Sequence, residues 1–140
     1  MKTLVTDLLA TLAYGGLGVV LMGLGFVLVD VATPGRLRDL IWADRNRNAA
    51  LLLTSNVVSV GIIVVAAIMA SEGDFIGGLA SAAAYSVLGL LIMAGAFLLL
   101  DLFTPGRLGQ VLVDPQPHPA VWVSAAVHLA IGAIIAAAIS

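Results

Sequence analysis

Four side chains could hold or move charge in an otherwise apolar chain: Asp30, Asp101, Asn56 and His128. Carboxylates and an imidazole are the parts of a proton relay or an ion path, and an ionisable group within a membrane span is a functional candidate by default. Asp30 and Asp101 each close an apolar run at its C-terminal end. The helix dipole disfavours an anion there, so something local must compensate. The plain answer is structural. The carboxylate accepts free N–H groups at the start of the next short helix, or pairs with Arg36 or Arg107. Asn56 and His128 lie deeper, roughly 10–14 Å from the span boundary at about 1.5 Å per residue. Their plain role is interhelical glue, hydrogen-bonded to each other, of about 0.6 kcal/mol and up to about 1.7. Their functional role would be a relay with Asp30 or Asp101. Thr54, Ser55 and Ser59 can bond back to their own helix carbonyls and need no further role.

Other chemistries find no support in the residues. The chain has no cysteine, which excludes disulfides, thiol catalysis and thiolate metal sites. Structural zinc needs four ligands and catalytic zinc three, and no such set is spaced for it. There is no Ser–His–Asp arrangement and no paired carboxylates at helical spacing. The segment Gly16–Gly25 is glycine-rich but lies inside a span, without the strand–turn–helix setting of a phosphate loop. Net charge is −2 with no basic run, against a nucleic-acid partner. The expectation is a protein that is not an enzyme and carries no cofactor.

The elements that hold these residues follow from composition. The 140 residues are 61% hydrophobic and 10% charged, with mean hydropathy +1.15. Soluble domains carry about 25% charged residues. Four apolar runs, approximately 8–31, 49–70, 79–102 and 119–140, are long enough to span a bilayer. Within lipid the backbone must satisfy its own hydrogen bonds, so each run should be a helix. The first run is longer than a signal-peptide core, and an equivalent run sits mid-chain where no leader could be cleaved.

That equivalence is part of a repeat. Residues 13–69 align with 84–140 at a constant offset of 71, without a gap, and 19 of the 57 positions are identical. Asp30 with Thr33-Pro34-Gly35-Arg36-Leu37 matches Asp101 with Thr104-Pro105-Gly106-Arg107-Leu108. The chain therefore reads as an all-α membrane protein, a single domain over 1–140. It holds four transmembrane helices as two tandem parallel helical hairpins, approximately 8–70 and 79–140.

Arg36, Arg38, Arg45 and Arg47 fall in the loop after the first span and Arg107 in the loop after the third. The other side carries Lys2, Glu72 and Asp74. Positive-inside counting places both Arg-bearing loops in the cytoplasm and both termini outside. Thr33 and Thr104 read as N-caps, with Pro34 and Pro105 at the first helical position. After them Leu37, Leu40 and Ile41, and Leu108, Val111 and Leu112, give a short amphipathic helix expected to lie on the inner leaflet. The second loop should become extended at Pro115, Pro117 and Pro119. Gly16 with Gly23, Gly18 with Gly25, and Ala126, Ala130, Ala133 and Ala137 form small-residue faces that allow close helix approach, within the chain or in a homo-oligomer. Arg36, Arg38, Arg45 and Arg47 are candidate contacts for anionic membrane lipids or for a cytoplasmic or membrane protein partner.

Two tandem two-span units, each with an Asp-x-x-Thr-Pro turn, resemble the bacterial inner-membrane family called domain of unknown function 350. The typical unit also has an Asn followed by Ala-rich sequence at the start of its second span. Asn48-Ala49-Ala50 matches this, whereas Pro119-Ala120-Val121 stands in the second unit. The resemblance implies a four-span plasma-membrane protein and brings no established activity. Two functions are consistent with the residues: a structural, interaction or envelope-stress-related membrane protein, and a channel or carrier subunit for ions, protons or small solutes. The second requires Asp30, Asp101, Asn56 and His128 to face one interior seam.

Overall fold

The computed structural model describes residues 2–71 and 74–140, apart from the Lys2 side chain. Lys2 and Glu72, which entered the charge count, lie outside the described side chains. Among the described residues the chain is all-α: α1 (Lys2–Ala32), α2 (Leu37–Trp42), α3 (Arg47–Ala70), α4 (Phe75–Phe103), α5 (Leu108–Val113) and α6 (Pro119–Ile139). Helices α1, α3, α4 and α6 are each long and apolar enough to cross a membrane. The 31 residues of α1 and 29 of α4 exceed the expected runs at both ends. At about 1.5 Å per residue they reach roughly 46 and 44 Å, beyond a hydrocarbon layer of about 30 Å, so they tilt or project past it.

Helices α3 and α4 each pack against all the other long helices, whereas α1 and α6 make at most marginal contact with one another. The bundle is thus a rhombus with α3 and α4 across its short diagonal and α1 and α6 at the far corners. An exact twofold exchange of α1 with α4 and of α3 with α6 would require α1–α6 to match α3–α4, and it does not. The tightest seam is α3–α6. There a Cβ on Gly132 would stand 2.9 Å from Ser59 Cα and 3.1 Å from its carbonyl oxygen, so only glycine allows the two backbones this close.

Apolar burial falls in two clusters. One, at the end carrying α2 and α5, joins Val29, Leu37, Ala49, Leu52, Phe97, Leu108, Leu112 and Val121. The other, toward mid-bundle, joins Leu21, Val60, Val64, Leu90 and Met93. The short helices are therefore packed differently from the surface-lying expectation. Leu37, Leu108 and Leu112 point into the protein core and are essentially inaccessible. Protein packing replaces lipid as the partner of their apolar side, because the loops fold back over the ends of α1, α3 and α4. Segment 114–118 is non-helical, as its prolines require. Trp42 and Trp122 are exposed at this end. Tyr14 lies toward the other end, stacked edge-on against Phe75 at 5.8 Å.

Candidate functional site

The two carboxylates do the same structural task. Asp30 Oδ1 accepts from Leu37 N at 2.7 Å, and Asp101 Oδ1 accepts from Leu108 N at 2.6 Å and from Gly109 N at 3.4 Å. Each satisfies free N–H groups of the following short helix and brings its negative charge to the positive end of that helix. Among the described residues neither forms an ion pair with Arg36 or Arg107. The cap therefore comes from the end of the preceding long helix, seven residues upstream.

This corrects the expected role of the threonines. Thr33 Oγ1 donates back to Val29 O at 2.7 Å and Thr104 Oγ1 to Leu100 O at 2.7 Å. Both satisfy carbonyls at the ends of α1 and α4 instead of opening α2 and α5. Pro34 and Pro105 consequently sit in the turn, ahead of the helical start at Leu37 and Leu108. The N-cap positions are Arg36 and Arg107, whose side chains make no cap bond. Gly35 and Gly106 take φ of 102° and 91°, a conformation natural to glycine, and this folds the chain back so that the carboxylate can reach. Arg36, Arg38, Arg45 and Arg47 are all exposed at this end.

A polar clamp, of which the sequence signalled only the Asn48-Ala motif, ties the two loops together. Asn48 is buried at the start of α3. Its Nδ2 donates toward Val111 O at 3.1 Å, Asp114 O at 3.1 Å and Gln116 O at 2.8 Å, and its Oδ1 accepts from His118 N at 3.1 Å. Asn46 caps α3 by accepting from Ala49 N at 3.0 Å, and its Nδ2 donates to Asp114 O at 3.0 Å. Both loops therefore lie at one end of the bundle. His118 caps α6, accepting from Ala120 N through Nδ1 at 3.1 Å. The missing Asn in the second unit now has a physical reading: the first unit's Asn holds the extended, proline-rich second loop, whose own carbonyls lack helical partners.

Asn56 and His128 each stand nine residues beyond the first residue of α3 and α6. At about 1.5 Å per residue that is roughly 14 Å along the helix. Asn56 is 0% and His128 2% exposed. Their expected mutual hydrogen bond is not made. Asn56 Nδ2 and Oδ1 and His128 Nδ1 and Nε2 are all buried without a hydrogen-bond partner. The reason lies in the helix seam. The α3–α6 contact is carried by Ser59, whose Oγ donates to Ser55 O at 2.7 Å and across to His128 O at 2.8 Å. The bridge between helices thus uses the His128 backbone and leaves its ring elsewhere. Ser59, assigned no special role from sequence, supplies a hydrogen bond between α3 and α6. Asn56 Oδ1 occupies the space over Gly25 of α1 that any Cβ would claim.

Both unpartnered side chains line a groove of about 560 Å³ between α1 and α4. Its walls are apolar, with Leu24 and Val27 on one side and Leu91 and Leu98 on the other. Each unmet buried polar group costs about 1–3 kcal/mol, so this is the least satisfied place among the described residues. Asp30 and Asp101 are not among the groove's lining residues. The four candidate polar residues thus separate into two caps at the loop end and one pair at mid-bundle. No group of three or more His, Cys, Asp or Glu side chains suited to a metal ion occurs among the described residues.

Comparison with known proteins gives the family. A family model described as Domain of Unknown Function (DUF350) matches residues 3–139. A UPF0719 transmembrane protein of Mycolicibacterium paratuberculosis is 33% identical over 131 residues, which cover 94% of this chain and 87% of the relative. UPF0719 transmembrane proteins of Mycobacterium bovis and Mycobacterium tuberculosis are 36% identical over 131 residues, 94% of this chain and 86% of each relative. No solved structure matches. The chain belongs to the DUF350 family and is a multi-pass membrane protein.

Proposed function

We propose that this DUF350 member is a non-enzymatic structural and interaction protein of the bacterial plasma membrane, assembled as a homo-oligomer. The observation that carries the reading is the placement of its small residues. Gly16 and Gly23 lie on the outer side of α1 with nothing within 4 Å of a notional Cβ, and Ala126, Ala130, Ala133 and Ala137 are exposed on α6. These faces stand at the two far corners of the rhombus. Lipid gains nothing from small residues, whereas a helix of a second copy does, through close backbone approach. On this reading the chain is two parallel hairpin repeats with both termini outside. The exposed Arg36, Arg38, Arg45 and Arg47 then meet anionic lipid or a cytoplasmic or membrane protein partner.

The alternative, an ion, proton or small-solute path, draws on the unpartnered Asn56 and His128. It is the weaker reading because Asp30 and Asp101 are engaged as helix caps at the loop end. Counting copies per particle by single-molecule photobleaching in native-lipid discs tests the proposal. More than one copy is expected, and Gly23→Leu or Ala130→Leu should reduce the count while leaving the helical content unchanged. Single copies of the native protein would overturn the oligomer. Proton or ion flux in liposomes, abolished by Asp101→Asn or His128→Ala, would move the assignment to the alternative.

A further inference from the structure

We propose that the α1–α4 groove is a binding site for a neutral, membrane-dissolved molecule with an apolar body and a ring carbonyl or hydroxyl, the chemistry of an isoprenoid quinone and its quinol. Two independent observations meet here. The groove has a volume of about 560 Å³, within the roughly 300–1,000 Å³ range of small-molecule sites. Its floor holds Asn56 and His128, buried to 0% and 2% exposure, neither with a side-chain hydrogen bond of good geometry, the His128 ring lying near the Met93 backbone.

The geometry narrows the ligand class. The mouth is formed by Leu24, Val27, Leu91 and Leu98, exposed by 47%, 54%, 62% and 68%. Entry is therefore sideways from the lipid phase. A phospholipid cannot bring its charged head to this depth, because an unpaired charge near mid-membrane is too unfavourable. A bare acyl chain would fill the walls and leave the floor polar groups unpartnered. What remains is a small uncharged polar head on an apolar body. One end of the Asn56 amide is turned against Gly25, and an amide offers both N–H donors and a carbonyl acceptor. The neutral imidazole presents one donor and one acceptor. A carbonyl accepts from either donor, and a hydroxyl can in addition donate to the ring nitrogen. Both oxidation states of a quinone ring are thereby accommodated, and no electron transfer is implied. The site lies within one copy of the chain and does not depend on oligomer formation.

The protein has two histidines, His118 and His128. The first is exposed in the second loop and serves as an internal reference. The test is NMR of protein labelled with 15N-histidine in lipid nanodiscs, titrated with decylubiquinone and, separately, with decylbenzene, which keeps a six-carbon ring and the same chain but carries no oxygen. Decylubiquinone should shift the His128 ring signals in a saturable manner and leave His118 unmoved, and decylbenzene should not. Asn56→Leu should weaken the apparent affinity at least about tenfold. Leu91→Trp, on the exposed wall, should block binding while the floor and the fold remain intact, which keeps the test valid if the Asn56 variant is unstable. No shift with decylubiquinone, equal shifts with both probes, or undiminished binding to Leu91→Trp would each overturn the proposal.

Discussion

Asp30 and Asp101 illustrate how one residue type at a helix end can be read as chemistry or as capping. Geometry decides for capping, since Oδ1 of each receives the first N–H of the next short helix. A cap needs an acceptor oxygen and not a titrating charge. Asp30→Asn and Asp101→Asn should therefore retain most of the stability, whereas Asp30→Ala and Asp101→Ala should each lose about 0.5–2 kcal/mol, measured by thermal unfolding in detergent. Asn variants as damaging as Ala variants would show that the charge itself matters. Asn48 is the more consequential polar residue at this end, with three acceptors for its amide and one donor for its oxygen. Asn48→Ala leaves several loop carbonyls without a partner. It should destabilise the protein by about 1–3 kcal/mol and expose segment 114–118 to limited proteolysis. Unchanged cleavage of that segment would show that the clamp is not what holds it.

Between elements, glycine and its facing polar residue act as a unit. Asn56 on α3 exists where Gly25 on α1 leaves room for it. At the positions 71 residues later stand Ala96 and Val127. Gly25→Ala should force Asn56 aside and cost about 1–3 kcal/mol, as overpacking commonly does. Asn56→Ala made together with it should recover part of that loss. A double-mutant cycle on thermal stability is expected to give a coupling of about 0.5–3 kcal/mol. Additive effects would mean that the two positions do not share the space. The α3–α6 seam follows the same principle, with Gly132 admitting Ser59 and the Ser59 hydroxyl bonding across to the His128 carbonyl.

For the whole molecule, the loop-end clamp places α2 and α5 at one end of the bundle, and the end of α3 at Ala70 and the start of α4 at Phe75 lie at the other. The chain has no cysteine, so single substitutions give a clean topology assay. If the arginine-bearing loops face the cytoplasm, Arg38→Cys should resist a membrane-impermeant thiol reagent in intact cells and react after permeabilisation. Ser71→Cys should react in intact cells. The reverse pattern would invert the proposed orientation, and labelling of both from one side would break the four-span arrangement. The same clamp joins a loop of the first hairpin to that of the second, so the hairpins should unfold together.

Much of this architecture was legible in the chain because membrane-spanning helices are set by length and apolarity, which are local properties. The four spans, the presence of two short helices, the extended proline segment and the capping choice for Asp30 and Asp101 all rest on local sequence, although the short helices open at Leu37 and Leu108 and not, as expected, at Pro34 and Pro105. Three features depended on distant partners: the Asn48 clamp and the Ser59–His128 bond, between residues 63 to 70 apart, and the burial of Leu37 and Leu108 in a shared core. Sequence cannot rotate one helix against another. The rotation that packing imposes sends the Ser59 hydroxyl to the His128 carbonyl and leaves the imidazole and the Asn56 amide without a mutual hydrogen bond at the groove. Chemistry at mid-membrane was therefore decided by tertiary packing, and the frame around it by the chain alone.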